Sequence, residues 1–368
     1  MKKTFLSFLC VVGGLLVGAL ILKLSNISPL EAYQVMWNGI FARPSYMAYI
    51  IVRSTPLVLT GLSVAFAFRT GLFNIGAEGQ FIIGAASAAY FGFIFNFDPW
   101  IQIPLVLTLA VVISALYGGF AGFLKARFGV HEVISTIMLN WIALYFSNYM
   151  VMMDGFHKIN TETSEFIQES CSITFLENWK TSATGMTWLL DHPFLNDFLR
   201  PPVNAGIFLV LIAVIVIWII LNKTTFGFNL KAVGFNPEAA RYAGINVNKK
   251  MTQAMMVAGG LAGLAGATHV MGVSKNIAML AAHEGYGFDG IAVSLIGSNS
   301  PLGSLISGIF LGALKYSGQK IQPALEAPSE VINIMIGAII FFIAIPVIFE
   351  KSFLKTLNII AMMRDKKS

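Results

Sequence analysis

One stretch in the middle of the chain has the length and composition of a membrane-spanning helix. Residues 203–222 read VNAGIFLVLIAVIVIWIILN and contain no Asp, Glu, Lys or Arg. Because an α-helix rises about 1.5 Å per residue, about twenty residues cross the roughly 30 Å hydrocarbon core of a bilayer. The stretch therefore predicts a transmembrane helix.

Similar apolar runs occupy most of the chain. They fall at 4–22, 46–67, 72–95, 101–124, 132–153, 203–222, 251–273, 286–298, 303–319 and 330–349. The run at 286–298 is short enough for a half-helix, or for a span lengthened by the weakly polar residues before it. Of the 368 residues 56% are hydrophobic and only 11% are charged, against about 25% charged in soluble domains. We predict an all-α polytopic membrane protein of about ten transmembrane helices in one domain, residues 1–368.

The distribution of charge orients the predicted helices. With the N terminus in the cytoplasm, the cytoplasmic segments hold 15 of the 24 Lys and Arg residues, as the positive-inside rule requires. Residues 154–202, with seven acidic and three basic residues, form the predicted extracytoplasmic loop, and residues 223–250 a cytoplasmic loop. Ten crossings return the C terminus to the cytoplasm. Basic residues cluster at helix ends, so the net charge of +6 does not indicate a nucleic-acid partner.

Two blocks of four predicted helices, residues 46–153 and 251–349, could be related as inverted repeats. The first block begins outside and the second inside, which is a common plan among transporters. Similarity between the blocks is faint, since IGAEG at 75–79 only loosely matches IGSNS at 296–300. The repeat stays an open alternative.

The cytoplasmic loop contains the signature of a complete short helix at residues 236–244. Its residues are the N-cap Asn236, then Pro237, Glu238, Ala239, Ala240 and Arg241, and the C-cap Gly244. Glu238 and Arg241 are three residues apart and each lies near the helix end that favours its charge. Two turns are marginal in water, so this helix either rests on the membrane surface as a connector or docks to a cytoplasmic partner.

Polar side chains interrupt three of the predicted helices. They are Asn74, Glu78 and Gln80 in the third, Thr136 and Asn140 in the fifth, and Asp289 in the eighth. Such groups are costly in hydrocarbon and should face the bundle interior or a wet cavity. Each could line a substrate pathway or simply bond a neighbouring helix. Asn140 also lies near the predicted midplane, where an amide suits a polar, ring-bearing substrate.

Sequence motifs of enzymes are missing from the chain. It has no phosphate-binding loop, no H-E-x-x-H or C-x-x-C motif and no nucleophile elbow. We predict no catalytic residue, metal site or cofactor, so any uphill transport must draw energy from a partner or an ion gradient.

Four separated motifs, at residues 71–80, 131–140, 231–247 and 285–303, resemble the permease subunits of bacterial ABC importers for nucleosides and simple sugars. The likeness is strongest to nucleoside permeases that work with basic-membrane-protein-type lipoproteins, within the branched-chain amino acid and ribose permease superfamily. It covers residues 50–350 or so. The first helix and the 154–202 loop match least.

The resemblance implies a non-catalytic subunit in the bacterial cytoplasmic (inner) membrane that forms half of a nucleoside pathway. It implies three partners besides lipid: an ATP-binding cassette protein that binds ATP and Mg, a second, non-identical permease, and an extracytoplasmic substrate-binding lipoprotein. Residues 236–244 would be the coupling helix. The pathway residues given above come from burial arguments and not from the resemblance.

Two alternatives stay open. The same architecture could carry a simple sugar, riboflavin or an amino acid. Otherwise the chain could be a stand-alone secondary transporter with Glu78 or His269 as its proton site.

Overall fold

A computed structural model describes residues 2–344 of the chain, with side chains described from residue 12. In chain order its helices are α1 (Lys2–Leu24), α2 (Pro29–Phe41), α3 (Pro44–Phe68), α4 (Ala77–Ile94), α5 (Pro99–Phe128), α6 (Glu132–Val151), α7 (Glu177–Thr181), α8 (Ala183–Leu190), α9 (Pro193–Leu199), α10 (Gly206–Lys223), α11 (Thr225–Phe235), α12 (Pro237–Tyr242), α13 (Val247–His269), α14 (Tyr286–Ile296), α15 (Pro301–Gly318), α16 (Ile321–Leu325) and α17 (Ser329–Ala344). A π-helical turn, Val270–Ser274, continues α13. The predicted all-α class is confirmed for the described residues.

Four of these helices are long and apolar enough to cross a membrane: α3, α5, α10, and α13 with its π-turn. Residues 12–24 of α1 together with α2 would make a fifth, broken span. Helices also form at the other predicted runs, but α4, α6 and α15 are richer in Gly, Ser and polar residues, and α14 has only 11 residues. The chain is thus a multi-pass membrane protein. The count of ten stays a prediction, and residues 345–349 of the last run lie outside the described part.

No helix is predicted between residues 22 and 46, yet α2 forms there. Pro29 occupies its first turn, where a missing N–H does no harm, and α2 lies at 119° to α1. The signal was weak because Tyr33, Gln34 and Asn38 divide a run of only 13 residues.

The described chain packs as two compact units. One contains the residues up to Ala42 and from Leu314 onward, and the other contains Arg43–Ala313. The core of the first is built from residues such as Leu22, Met36 and Met335. Every candidate site residue belongs to the second, larger unit.

Helix α13 runs through the larger unit and packs against α3, α4 and α5. Glycines make the contact close: a Cβ added to Gly263 would lie 2.2 Å from Cβ of Ser114, and one added to Gly84 would lie 2.3 Å from the Gly263 carbonyl oxygen. The small-x-x-x-small pattern of α13 is therefore a packing device. Accordingly α3 and α13 are mostly buried, whereas α5 and α10 expose most of their apolar surface.

The segments 154–202 and 223–250 lie at opposite ends of α3. At its start, Oδ2 of Asp197 accepts hydrogen bonds from N of Ser45 at 3.1 Å and from its Oγ at 3.0 Å. At its other end, Gly234 packs so closely that an added Cβ would lie 2.4 Å from the Arg69 carbonyl oxygen. A 25-residue helix separates the two contacts by about 37 Å. The predicted topology also places these two loops at opposite ends of a span; which end is outer stays a prediction.

Candidate functional site

The short helix predicted at 236–244 forms as α12, and its N-terminus has the expected cap. Oδ1 of Asn236 accepts hydrogen bonds from N of Glu238 at 3.0 Å and N of Ala239 at 3.1 Å, while Pro237 fills the first helical position. The helix ends at Tyr242, and Gly244 has a φ of +83°, which favours glycine. Local sequence therefore specifies this element from cap to cap.

One side of α12 packs on the protein and the other is exposed. Ala240 is buried against Val233 and Val247. Nη1 of Arg241 lies 2.9 Å from a carboxylate oxygen of Glu238, on the exposed side. That pair adds little to stability, because both side chains are solvated.

Two exposed aromatic residues end α11 and α12, and they were not among the predicted site residues. Tyr242 is 97% exposed and Phe235 is 92% exposed. Neither ring stabilises the isolated chain by burial. The predicted docking of this helix to a cytoplasmic partner would cover the pair. We call Phe235, Glu238, Arg241 and Tyr242 the docking surface. A signal was available, since the two aromatic residues bracket the capped helix in sequence.

Glu78 joins two helix N-termini inside the larger unit. Its side chain is fully buried. Oε1 accepts a hydrogen bond from N of Gly285 at 2.8 Å, and Oε2 accepts one from N of Gly287 at 2.6 Å. The carboxylate thus caps α14 while standing in the first turn of α4, and both positions favour negative charge. These contacts give Glu78 a positioning role in the fold.

The predicted amides and Thr136 gather around the turn that leads from α3 into α4. Asn74 and Gln80 bond each other twice, Nδ2 to Oε1 at 2.9 Å and Nε2 to Oδ1 at 3.2 Å. Asn140 donates to the Ile75 carbonyl oxygen at 3.1 Å and accepts from N of Gly79 at 2.8 Å. Thr136 donates to the Glu132 carbonyl oxygen at 2.7 Å. The structure brings these four residues together, and Glu78 stands beside them on α4.

Asp289 is half-buried in the first turn of α14. The buried residues of the predicted set use their polar atoms on the protein itself. Whether any of the six contacts substrate stays a prediction.

At the opposite end of the protein, Lys275 ties the 154–202 segment to the end of α13. Its Nζ donates to Oγ1 of Thr174 at 2.7 Å, to Oε2 of Glu177 at 3.1 Å, and also to Oγ of Ser172. These partners border a cavity of about 440 Å³ whose lining includes Trp179. Sequence reasoning missed this cluster because its partners lie about a hundred residues apart.

Charge in this cluster favours ionised Glu177. Partial burial alone would raise the pKa of its carboxyl group, but hydrogen bonds from Ser172 and Lys275 and the charges of Lys275 and Lys180 outweigh it. The pKa of Glu177 therefore lies below its ordinary value. In the part of the chain that the structure describes, no three His, Cys, Asp or Glu residues are grouped as metal ligands.

Comparison with known proteins identifies the family. Residues 46–344 match the family described as the permease component of branched-chain amino acid transport systems. The chain belongs to this permease family. The permease is 40% identical over 339 residues to a guanosine ABC transporter permease protein of Bacillus subtilis, with 91% of each chain covered. The predicted family is therefore confirmed.

Two further relatives show the range of the family. The permease is 34% identical to a nucleoside ABC transporter permease protein of Lactococcus lactis, over all of this chain and 97% of the relative. It is 28% identical to a glucose ABC transporter permease protein of Haloferax volcanii, over 93% of this chain and 87% of the relative. No solved structure matches the chain.

Proposed function

We propose that this permease forms half of a nucleoside pathway in an ATP-binding cassette importer of the bacterial inner membrane. A separate cytoplasmic cassette protein hydrolyses ATP with Mg, a second permease completes the pathway, and an outer lipoprotein delivers the substrate. The permease itself is non-catalytic and needs no cofactor. Nucleosides are favoured over other cargoes because the guanosine and nucleoside relatives align at higher identity than the glucose relative.

The docking surface is the observation that carries this proposal. A six-residue helix is too short to be stable by itself, yet α12 is capped, anchored through Ala240 and flanked by two exposed aromatic rings. Exposed rings beside a charged pair match a protein interface, in which aromatic residues and Arg supply most of the binding energy.

The docking surface is also connected to the centre of the permease. Only four residues, 243–246, separate α12 from α13. N of Ile245 donates to the Ala240 carbonyl oxygen at 3.0 Å, and Oδ1 of Asn246 accepts from N of Lys249 at 3.0 Å. A movement of α12 would therefore be passed to α13, the helix on which α3, α4 and α5 pack.

Co-purification tests the docking surface. We expect Tyr242→Ala to lower recovery of the cassette protein at least tenfold, which corresponds to about 1.4 kcal/mol of binding free energy, and to stop uptake. Arg241→Glu should also abolish uptake while leaving the permease folded in the membrane, because it places a second negative charge beside Glu238. Tyr149→Ala is the matched control, since Tyr149 is also exposed but lies on α6 near the 154–202 segment. Normal uptake by both docking variants would refute the coupling role.

Uptake by the whole complex tests the cargo. Proteoliposomes with the co-purified complex, ATP inside and the binding protein outside should accumulate labelled guanosine. Unlabelled nucleosides should compete, while glucose, ribose, riboflavin and leucine should not. Competition by glucose alone would favour the sugar alternative that the Haloferax volcanii relative suggests. Proton-driven uptake by this chain alone would refute the importer.

A further inference from the structure

Three aromatic rings meet where α4, α13 and α14 come together, and we call them the ring cluster. The centroids of Phe81 and Tyr286 lie 5.1 Å apart, those of His269 and Tyr286 5.2 Å apart, and those of Phe81 and His269 6.0 Å apart. Phe81 is fully buried, whereas His269 and Tyr286 are only partly covered. The cluster therefore has a packed base and two rings that reach the surface.

The position of Tyr286 is set by its surroundings. It is the first residue of α14, between the two glycines whose amides Glu78 holds. Its carbonyl oxygen accepts a hydrogen bond from Oγ1 of Thr60 at 2.9 Å. On the next turn Gly290 is packed so tightly that an added Cβ would lie 2.6 Å from the same Oγ1. Tyr286 is thus held on a rigid frame, as a ligand-contacting ring should be.

Three charged side chains lie within electrostatic range of the partly covered rings. Arg53, Glu284 and Asp289 all lie close enough to act electrostatically on the Tyr286 hydroxyl, and Arg53 acts on His269 as well. Arg53 and Glu284 are exposed and Asp289 is half-buried. We call these three residues the charged rim.

The depth of Arg53 along α3 indicates the surroundings of the charged rim. It is the tenth residue of the spanning helix α3, about 14 Å along a helix of about 37 Å. A charged side chain at that depth faces a water-filled cavity or the protein interior and not lipid. The exposed side of the ring cluster and charged rim therefore faces water or protein and not lipid.

We propose that the ring cluster and charged rim form a contact site for a nucleoside in the translocation pathway. This proposal rests on the proposed function and names the residues that contact the nucleoside. The base stacks on Tyr286 and His269, since aromatic rings accept the faces of all bases. The hydroxyls and the polar edge of the base bond the charged rim. Rings with a few convergent polar groups are the usual lining of a site for such a ligand.

Photolabelling tests contact directly. The reconstituted complex, with the binding protein and ATP, is irradiated with 8-azidoguanosine and digested with trypsin. The digest separates the candidates, because residues 276–315 contain Glu284, Tyr286 and Asp289, and residues 251–275 contain His269. We expect label on one of these two peptides, at least tenfold reduced by excess guanosine. Label confined to other peptides, such as 128–158, or label insensitive to guanosine would overturn the proposal.

Uptake by variants provides the second measurement. Tyr286→Ala should lower guanosine uptake at least tenfold at equal amounts of assembled complex, whereas Tyr286→Phe, which keeps the ring, should lower it less than threefold. Asp289→Asn preserves the shape of the side chain and serves as the test if the complex with Tyr286→Ala does not assemble. We expect Asp289→Asn to lower guanosine uptake at least threefold. Tyr149→Ala is the control with wild-type uptake. Wild-type uptake by both Asp289→Asn and an assembled Tyr286→Ala would refute the site.

Different results would refute the proposed function and the contact site. If the wild-type complex takes up no nucleoside, the proposed function is wrong. If it takes up guanosine while the label and the variants point elsewhere, only the contact site is wrong.

Discussion

Oε2 of Glu78 lies 2.6 Å from the backbone nitrogen of Gly287, although 209 residues separate them in sequence. This contact brings the first turns of α4 and α14 together. It also requires glycine, since an added Cβ at position 287 would lie 2.1 Å from N of Glu78. Glu78 therefore links two helices, and the frame behind the ring cluster depends on it, while its predicted pathway role stays a prediction.

Gly287→Ala should destabilise the permease. Its methyl group would meet the backbone of α4, which cannot rotate away, so α14 must shift at a cost of about 1–3 kcal/mol. Thermal unfolding in detergent measures the effect. Gly337→Ala is the matched control because nothing lies within 4 Å of its added Cβ. Equal melting temperatures for the two variants would contradict the close contact.

Asn140→Ala should also lower stability, by about 1–3 kcal/mol, because it leaves the buried amide of Gly79 without its acceptor. The same unfolding assay applies. Asn222→Ala, which removes an exposed amide bonded to the Trp218 carbonyl oxygen, should change stability by less than about 0.5 kcal/mol. A larger effect at Asn222 than at Asn140 would count against the assigned roles.

The Lys275–Glu177 contact should make the 154–202 segment sensitive to pH. Because the pKa of Glu177 is lowered in the folded protein, its stabilisation is full above the ordinary value of 4.5 and is lost as pH falls through the lowered pKa. Glu177→Gln should therefore reduce hydrogen-exchange protection of residues 166–179 at pH 7, and its difference from wild type should vanish at low pH. Glu169→Gln, an exposed neighbour, is the control and should leave protection unchanged. A difference independent of pH would show that charge is not involved.

Cys171 should be inert in the folded permease. Burial is the main cause that raises the pKa of its thiol, to about 12. In a Cys10→Ser background, maleimide should label Cys171 only after denaturation. Labelling of the native protein at the rate of a free thiol would show that the 154–202 segment is open.

Introduced cysteines should report the topology in a background without Cys10 and Cys171. Asn178→Cys, at an exposed position of the 154–202 segment, should react with a membrane-impermeant maleimide on intact cells. Tyr242→Cys should react only in inside-out vesicles. The reverse pattern would invert the predicted orientation.

Local patterns in the sequence were enough to predict a helical membrane protein and the short helix α12. Apolar runs need only be long and uncharged to predict helices, and Asn236, Pro237 and Gly244 act within a few residues of themselves. Dependence on local patterns also explains why α2 was not predicted, since its apolar run is short and interrupted by polar residues. It also explains why four family motifs were visible in sequence, since each is a contiguous stretch.

The hydrogen-bond partners of the buried polar residues could be decided only by tertiary structure. The sequence shows that Glu78, Asn74, Gln80 and Asn140 are costly in hydrocarbon, but not which distant backbone amides and carbonyls satisfy them. Likewise Phe81, His269 and Tyr286 belong to three separate helices, and nothing local predicts that their rings meet. Hydrophobicity and capping act between near neighbours in sequence, whereas the partner of a buried polar group is chosen by packing between helices.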